Sequence, residues 1–268
     1  MWLATNSGPF ELIELSVNEP RLSGLSVLHV SDLHFAPKQN RKRDFLRDIA
    51  TTKPDLVVNT GDNLGHKMAI PFALGALEPL AVFPGVFVNG SNDYRSPKPK
   101  NPIKYLFSPS EVNSSRNLDT NRFTTELENF GWLDLNNKLG SLELSGRKVS
   151  FAGVDDPHEN LDDLSITNEL SGDDYRIGVA HAPYHRIIDG FSQAGVDLMF
   201  AGHTHGGQLC LPGKRALVTN CDLEREYASG LSAWGNGMLM HVSSGAGHSI
   251  YAPIRLFCPP SATLISFS

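Results

Sequence analysis

Short apolar runs recur along the chain at positions 12–17, 25–30, 55–59, 86–88, 149–154, 176–180 and 197–201. Each is rich in Val, Ile, Leu or Phe and is closed by polar or glycine residues, the pattern of a strand buried on both faces. Helical stretches at 44–51, 68–80 and 184–194 lie between several of them. That alternation predicts an α/β layered domain. The tail reads differently: 208–211, 216–219, 238–242 and 263–267 are strand-like, with Gly and Pro turns and little helix between them. A second, more antiparallel sheet packed on the first is the simplest expectation.

One segment breaks the pattern. Positions 95–122 are rich in Pro, Asn and Ser and carry Lys98, Lys100, Lys104, Arg116 and Arg122 against Glu111 and Asp119. The plain reading is a surface loop. The sharper one is a cap over substrate, because the segment adjoins a candidate active-site turn and contains Tyr105, Leu106 and Phe107. No repeat or linker divides the chain, so one domain over 1–268 is expected, with a cap or insertion at 95–122.

Composition narrows the function classes. The 268 residues are 40% hydrophobic and 19% charged, which excludes disordered and fibrous classes. A net charge of −6 supplies no overall basic field for nucleic acid. Cys210, Cys221 and Cys258 form no CxxC pair, which argues against a disulfide framework and a thiolate zinc site and is compatible with a reducing compartment. Positions 1–10 show no basic stretch followed by an apolar run, and no run approaches the ~18 apolar residues of a membrane span. A soluble, cytoplasmic chain is the expectation, with peripheral membrane contact compatible with it.

The chemistry concentrates at the ends of the apolar runs. Asp32 and His34 follow the run ending at Val30, and extended backbone would aim both side chains to one side. Asp62 follows Gly61 at the end of the next run, and its two carboxylate oxygens can bridge two cations. His181 closes 177–180, and His203 and His205 follow 198–201. Singly, each reads as a turn, cap or core residue. Together, oxygen and imidazole donors at several strand ends are how open α/β sheets build sites, and two adjacent divalent cations suit that donor set. Hydrolysis at phosphorus is the implied chemistry. Gly206, Gly207 and Gln208 would let backbone approach closely. Of the remaining histidines, His29 and His185 read as packing residues, while His66, His158, His241 and His248 could reach the site from loops. His248, in the glycine-rich 243–249 segment, is the first of these to assign a catalytic part.

The order Asp32-Leu33-His34, Gly61-Asp62, a glycine turn before Asp93, Ala180-His181-Ala182-Pro183 and then Gly202-His203-Thr204-His205-Gly206-Gly207-Gln208 resembles the calcineurin-like metallophosphoesterase superfamily, over nearly the whole chain. The last motif and the following Leu211-Pro212-Gly213 are similar to a bacterial branch that contains membrane-associated phosphodiesterases and, more distantly, enzymes cleaving nucleotide-sugar lipid pyrophosphates. The resemblance implies a layered β-sandwich flanked by helices and two divalent metal ions, for which Mn, Fe, Zn, Ni and Co all suit Asp, His and Asn. It implies that Asp32, His34, Asp62 and His205 hold the first metal. Asp62 would bridge to the second, held also by His181 and His203. A hydroxide between the metals would attack phosphorus in line, on a small-molecule or lipid-linked phosphodiester or pyrophosphate.

The chain departs from the family at one turn. The family pattern is Gly-Asn-His-Asp or Gly-Asn-His-Glu, whereas this chain reads Gly90-Ser91-Asn92-Asp93. Ser91 stands where the ligand Asn belongs and Asn92 where the leaving-group His belongs, and an amide cannot give up a proton near neutral pH. Asn92 as second-metal ligand through a shifted turn is favoured; Ser91 or water completing the shell, or Asn92 merely holding the turn, stay open. Ser91, Tyr94 and Arg95 are expected to contact substrate. Two rivals follow: a metal-binding or interaction protein that lost catalysis with its histidine, and an amidohydrolase, whose HxH pair belongs on an early strand rather than a late one.

Overall fold

Val57 and Val58 are neighbours in sequence but belong to different cores, because alternate side chains of a strand leave opposite faces. The computed structural model describes residues 9–97, 115–172, 174–213, 215–251 and 253–268. Within it, β1 (Glu11–Val17), β2 (Ser26–Val30), β3 (Leu56–Asn59), β4 (Gly85–Phe87), β5 (Leu133–Asp134) and β14 (Ser261–Phe267) form one six-stranded sheet in the order β1-β14-β2-β3-β4-β5. A second six-stranded sheet runs β12-β13-β9-β8-β7-β6, from β6 (Lys138–Leu144), β7 (Arg147–Gly153), β8 (Tyr175–Val179), β9 (Leu198–Ala201), β12 (Gly230–Trp234) and β13 (Met238–Val242).

The facing sides of the sheets share one core: Val27, Val58, Val86 and Ile265 from the first meet Phe151, Ile177, Leu198 and Phe200 from the second. The outer face of the first sheet, with Leu28, Val57 and Phe87, is covered by α1 (Asn40–Ala50), α2 (Ile70–Leu77) and α4 (Thr120–Asn129) through Leu46, Ala73 and Phe123. The outer face of the second packs Met199, Ala201 and Met240 on Ile187 and Phe191 of α5 (His185–Gln193). The expected layered sandwich flanked by helices is therefore the observed architecture.

The tail corrects one expectation. Apart from the two-stranded pair at 210–211 and 215–216 it builds no sheet of its own: β13 joins parallel to β9, with Val242 opposite Ala201, and β14 returns to the first sheet between β1 and β2. The reason is two-sided burial. In β14, Ala262 and Leu264 face the helical core and Ile265 and Phe267 the inter-sheet core, so the strand is accommodated only inside a sheet covered on both sides. Antiparallel pairing in the tail is confined to β12–β13, the short hairpin of β10 (Cys210–Leu211) and β11 (Arg215–Ala216), and β14 against β2.

The functional loops lie at one edge. β2, β3 and β4 run parallel, as do β7, β8, β9 and β13, so the turns after these strands converge where the two sheets meet. Most of the expected cap, including Tyr105, Leu106 and Phe107, lies outside the described residues.

Candidate metal centre

Asp32, His34, Asp62, His203 and His205 all adopt left-handed backbone, with φ of 51°, 43°, 55°, 68° and 52°. For non-glycine residues this costs about 1 kcal/mol or more each and persists only where surroundings impose it. Here the turns lace one another. Asp32 N donates to Gly61 O and His34 N to Asp62 O, both at 2.9 Å, tying the turn after β2 to the turn after β3. Gly202 N donates to His181 O at 2.8 Å, and His203 N to Asp32 Oδ2 at 3.0 Å, bringing the second sheet's turns onto the first. Gly90 and Gly202 permit the approach, since a Cβ at Gly90 would sit 2.8 Å from the His181 ring and one at Gly202 2.5 Å from Asp32 Oδ2.

The donors converge. Asp62 lies between two imidazoles, Oδ2 at 3.5 Å from His34 Nε2 and Oδ1 at 3.5 Å from His181 Nε2. His205 Nε2 lies 3.6 Å from Asp32 Oδ1 and 3.2 Å from His34 Nε2. Asp32, His34 and His205 form one set of ligand atoms within 4.8 Å of one another, and Asp32, Asp62 and His181 a second. His203 stands beside the second, its ring 5.2 Å from that of His181. Its Nε2 faces Asn220 O at 3.2 Å, which leaves Nδ1 as the nitrogen for a cation.

Electrostatics tests whether a cation fits. His181 Nδ1 pairs with Thr60 O at 2.7 Å, so that nitrogen carries a proton, while Nε2 is buried without a hydrogen-bond partner and aimed at Asp62. Burial opposes charge on His181, yet Asp62, Asp32 and Asp156 outweigh it and lift its pKa to about 9. Burial likewise works against the Asp62 carboxylate, but His181, His34 and the Asn92 donors press it down to about 2. Burial raises Asp32 to about 6. Desolvation drives His34 down to about 3 and His203 and His205 well below the ordinary range, leaving them as neutral rings, the protonation state in which an imidazole can take a metal. A centre that attracts positive charge and presents neutral imidazoles fits divalent cations.

The residues of the divergent turn separate. Asn92, in the one-turn helix α3 (Ser91–Tyr94), donates from its backbone to Asp62 Oδ1 at 2.7 Å and from its side chain to Oδ2 at 2.6 Å. Ser91 is half-buried beside it. Tyr94 and Arg95 are engaged by the turn after β7: the Tyr94 hydroxyl donates to Asp155 at 2.6 Å, and Arg95 pairs with Glu159. His248 is half-buried with Nδ1 on Ser249 O at 3.1 Å, and burial lowers it to about 4, so its ring is neutral at pH 7. His66 accepts from Met68 N at 3.1 Å, and His241 lies buried against His29.

Three further residues take part: Asp93 and His158, which the sequence names without a role, and Arg255, which it does not mark. Asp93 accepts from Asn63 N at 2.8 Å, Leu64 N at 3.1 Å and Gly90 N at 3.0 Å, fixing two ligand turns together. His158 reaches the second set of ligands, its ring 4.7 Å from that of His203 and its Nδ1 2.8 Å from the Tyr184 hydroxyl. Arg255 is buried, with Nη2 3.0 Å from His205 Nδ1, and donates to Ser244 O at 2.8 Å and Gly245 O at 3.1 Å. A lone arginine in an apolar tail and a histidine in a loop have no spacing that marks them.

Two facing sheets with Asp and His donors at the meeting of their strand ends define a metal-dependent hydrolase of the phosphoesterase class. The chain belongs to the calcineurin-like phosphoesterase family, whose sequence profile matches residues 25–207. It is similar to the phosphodiesterase YaeI of Escherichia coli (strain K12), 25% identical over 264 residues covering 96% of this chain and 88% of that protein. It is also similar to the uncharacterized metallophosphoesterase YkoQ of Bacillus subtilis (strain 168), 26% identical over 203 residues covering 74% of this chain and 67% of that one. Among solved structures, TT1561 of Thermus thermophilus shares the fold with a TM-score of 0.51 at 12% identity, over 82% of this chain and 89% of that one.

Proposed function

We propose that the chain is a dinuclear phosphodiesterase or pyrophosphohydrolase, with Asp32, His34, Asp62 and His205 holding one divalent cation and Asp62, Asn92, His181 and His203 the other. The observation that carries this reading is the placement of Asp62 between His34 and His181, one carboxylate oxygen toward each ring at 3.5 Å. Two bound cations would neutralise a phosphoryl group and make water nucleophilic at neutral pH. The chain's own residues do the rest. His34, His203 and His205 stay neutral by burial and so keep lone pairs for ligation, whereas His181 would exchange the proton its carboxylates attract for a cation. Asp93 and Arg255 hold the turns that aim these rings. Asn92 orients the bridging carboxylate and has no proton to give a leaving group.

Bonds with good leaving groups are therefore the favoured substrates, and the similarity to a protein named phosphodiesterase agrees with this. The exchange of the family's histidine for Asn92 favours one other reading, a metal-binding protein without catalysis. Hydrolysis of bis-p-nitrophenyl phosphate by protein purified without chelator and reloaded with Mn distinguishes them. Turnover that falls to background in Asp62→Asn and His203→Ala, with circular dichroism unchanged, is expected. Full metal loading with no turnover on any ester would establish the non-catalytic reading.

A further inference from the structure

His29 and His241 sit in the core between the sheets. Each follows an apolar residue of that core by two positions, Val27 on β2 and Leu239 on β13, so strand alternation turns both rings inward. Both are buried, with the Phe200 ring 5.0 Å from that of His29 and 6.1 Å from that of His241. Imidazoles among apolar side chains destabilise a core unless their nitrogens are satisfied. Here they form the outer half of an unbroken chain: His241 Nδ1 to His29 Nδ1 at 2.8 Å, His29 Nε2 to Thr60 Oγ1 at 3.0 Å, Thr60 Oγ1 to Ser31 Oγ at 2.6 Å and Ser31 Oγ to Asp32 Oδ2 at 2.6 Å. Thr60, Ser31 and Asp32 are buried too.

Proton counting gives the chain one direction. Ser31 has a single hydroxyl proton and donates it to Asp32, so toward Thr60 it can only accept. Thr60 spends its proton on Ser31, and its oxygen therefore accepts from His29 Nε2. Burial keeps both rings neutral, with one proton each. His29 thus has a lone pair at Nδ1, and His241 donates to it from its own Nδ1. Without that donor the opposite tautomer of His29 is open, Thr60 can turn its proton to Nε2, and Ser31 loses the partner that fixes its own proton on Asp32.

The inner end holds one oxygen of the carboxylate. Oδ2 takes the Ser31 hydroxyl and, at 3.0 Å, the His203 amide, which also lies 3.2 Å from Oδ1. A Cβ on Gly202 or Gly245 would come 2.5 or 3.2 Å from Oδ2, so protein closes round that atom. Oδ1 is the oxygen that faces His205 Nε2, at 3.6 Å.

We propose that His241, His29, Thr60 and Ser31 act as one positioning unit for Asp32, holding Oδ2 so that Oδ1 is the atom presented to the first cation. What Asp32 binds rests on the dinuclear reading above, whereas the order of the hydrogen bonds does not. Thr60 serves the two ligand sets separately, since its carbonyl pairs with His181 Nδ1 at 2.7 Å while its hydroxyl meets Ser31. Substitution of that side chain therefore acts on the first cation and spares the second.

Long-range proton-nitrogen correlation spectra of the chelated protein, labelled with nitrogen-15 histidine, read the tautomers. His29 is expected to carry its proton on Nε2 and His241 on Nδ1. His241→Gln, whose amide still donates, should keep the His29 tautomer, and His241→Ala should release it. His241 lines a cavity of about 300 Å³ with Ile13, Thr263 and Gly230, so that truncation enlarges an existing space. Calorimetric titration with Mn reads the consequence. Thr60→Val is expected to weaken one of two binding steps by about tenfold or more and leave the other unchanged, while Thr60→Ser, which keeps the hydroxyl, binds like wild type. A His29 proton on Nδ1, an unchanged tautomer in His241→Ala, or Mn binding by Thr60→Val equal to wild type would overturn the proposal. Wild type that takes up fewer than two Mn ions would overturn the dinuclear reading and the proposal with it, a result distinguished by its appearing without any substitution.

Discussion

The Asn92 side-chain amide donates to Asp62 Oδ2 at 2.6 Å while its backbone amide donates to Oδ1 at 2.7 Å. One residue thereby grips both oxygens of the carboxylate that stands between His34 and His181. Rotation of the amide would offer its oxygen to a cation at the same place.

Asn92→Ala is therefore expected to weaken binding of the second cation by at least 10- to 100-fold, the scale on which even indirect supporters of a ligand act. Ser91→Ala should change it little. Titration calorimetry of chelator-stripped protein with Mn measures both. The reverse order of effects would assign the ligand to Ser91.

His158 stands 4.7 Å from His203, ring to ring, beside the second set of donors. A proton donated there would help a poor leaving group and be irrelevant to a good one. His158→Ala is expected to slow alkyl phosphodiesters by about 10² or more while leaving aryl diesters near wild type, since general acid help is worth 10² to 10⁴. A leaving-group series measures it; uniform loss across the series would make His158 a positioning residue for His203.

Arg255 supports the centre from behind. In Arg255→Met the carbonyls of Ser244, Gly245 and Gly247 lose their donor inside the protein, and each stranded acceptor costs about 1 kcal/mol or more. The three carbonyls share the two hydrogens of Arg255 Nη2, so a loss of about 2 kcal/mol or more in urea unfolding of the chelated protein is expected. A change below ~1 kcal/mol would show that water replaces the guanidinium there.

How much of this was legible in the sequence follows from range. Asp32, His34, Asp62, His181, His203 and His205 could be read because each sits at a fixed offset from the end of a buried strand, and strand ends are visible as the close of an apolar run. The outer strands were harder. β6 alternates exposed and half-buried residues such as Lys138 and Glu143, and β5 is two residues long, so neither yields an apolar run. The placement of β14 depends on partners at the other end of the chain, such as His29 opposite Thr263, which no local pattern encodes. The partners of Tyr94 and Arg95 were equally out of local reach, because Asp155 and Glu159 come from the turn after β7, remote in sequence.

A buried pair behind the donors, linked to Asp32 through Thr60 and Ser31, shapes the acid limb of the fold's stability. His29 Nδ1 lies 2.8 Å from His241 Nδ1, between the sheets. Burial, joined at His29 by the nearness of His241, holds His29 well below 6.5, and burial takes His241 to about 4. The unfolded chain takes up these protons near 6.5 and the folded chain does not until about 4, so stability is full above 6.5 and falls as pH drops through that window. Each such histidine contributes a slope of ~1.4 kcal/mol per pH unit. His241→Gln should make the acid limb shallower by about one proton in pH-dependent denaturation of the chelated protein. An unchanged slope would mean that the pair is already protonated in the fold.

The dinuclear centre itself is tested most directly by anomalous scattering from crystals loaded with Mn. Two peaks are expected, one beside Asp32, His34 and His205 and one beside His181 and His203, about 3.5 to 4 Å apart with Asp62 between them. A single peak at full loading, or two peaks that do not share Asp62, would contradict the account.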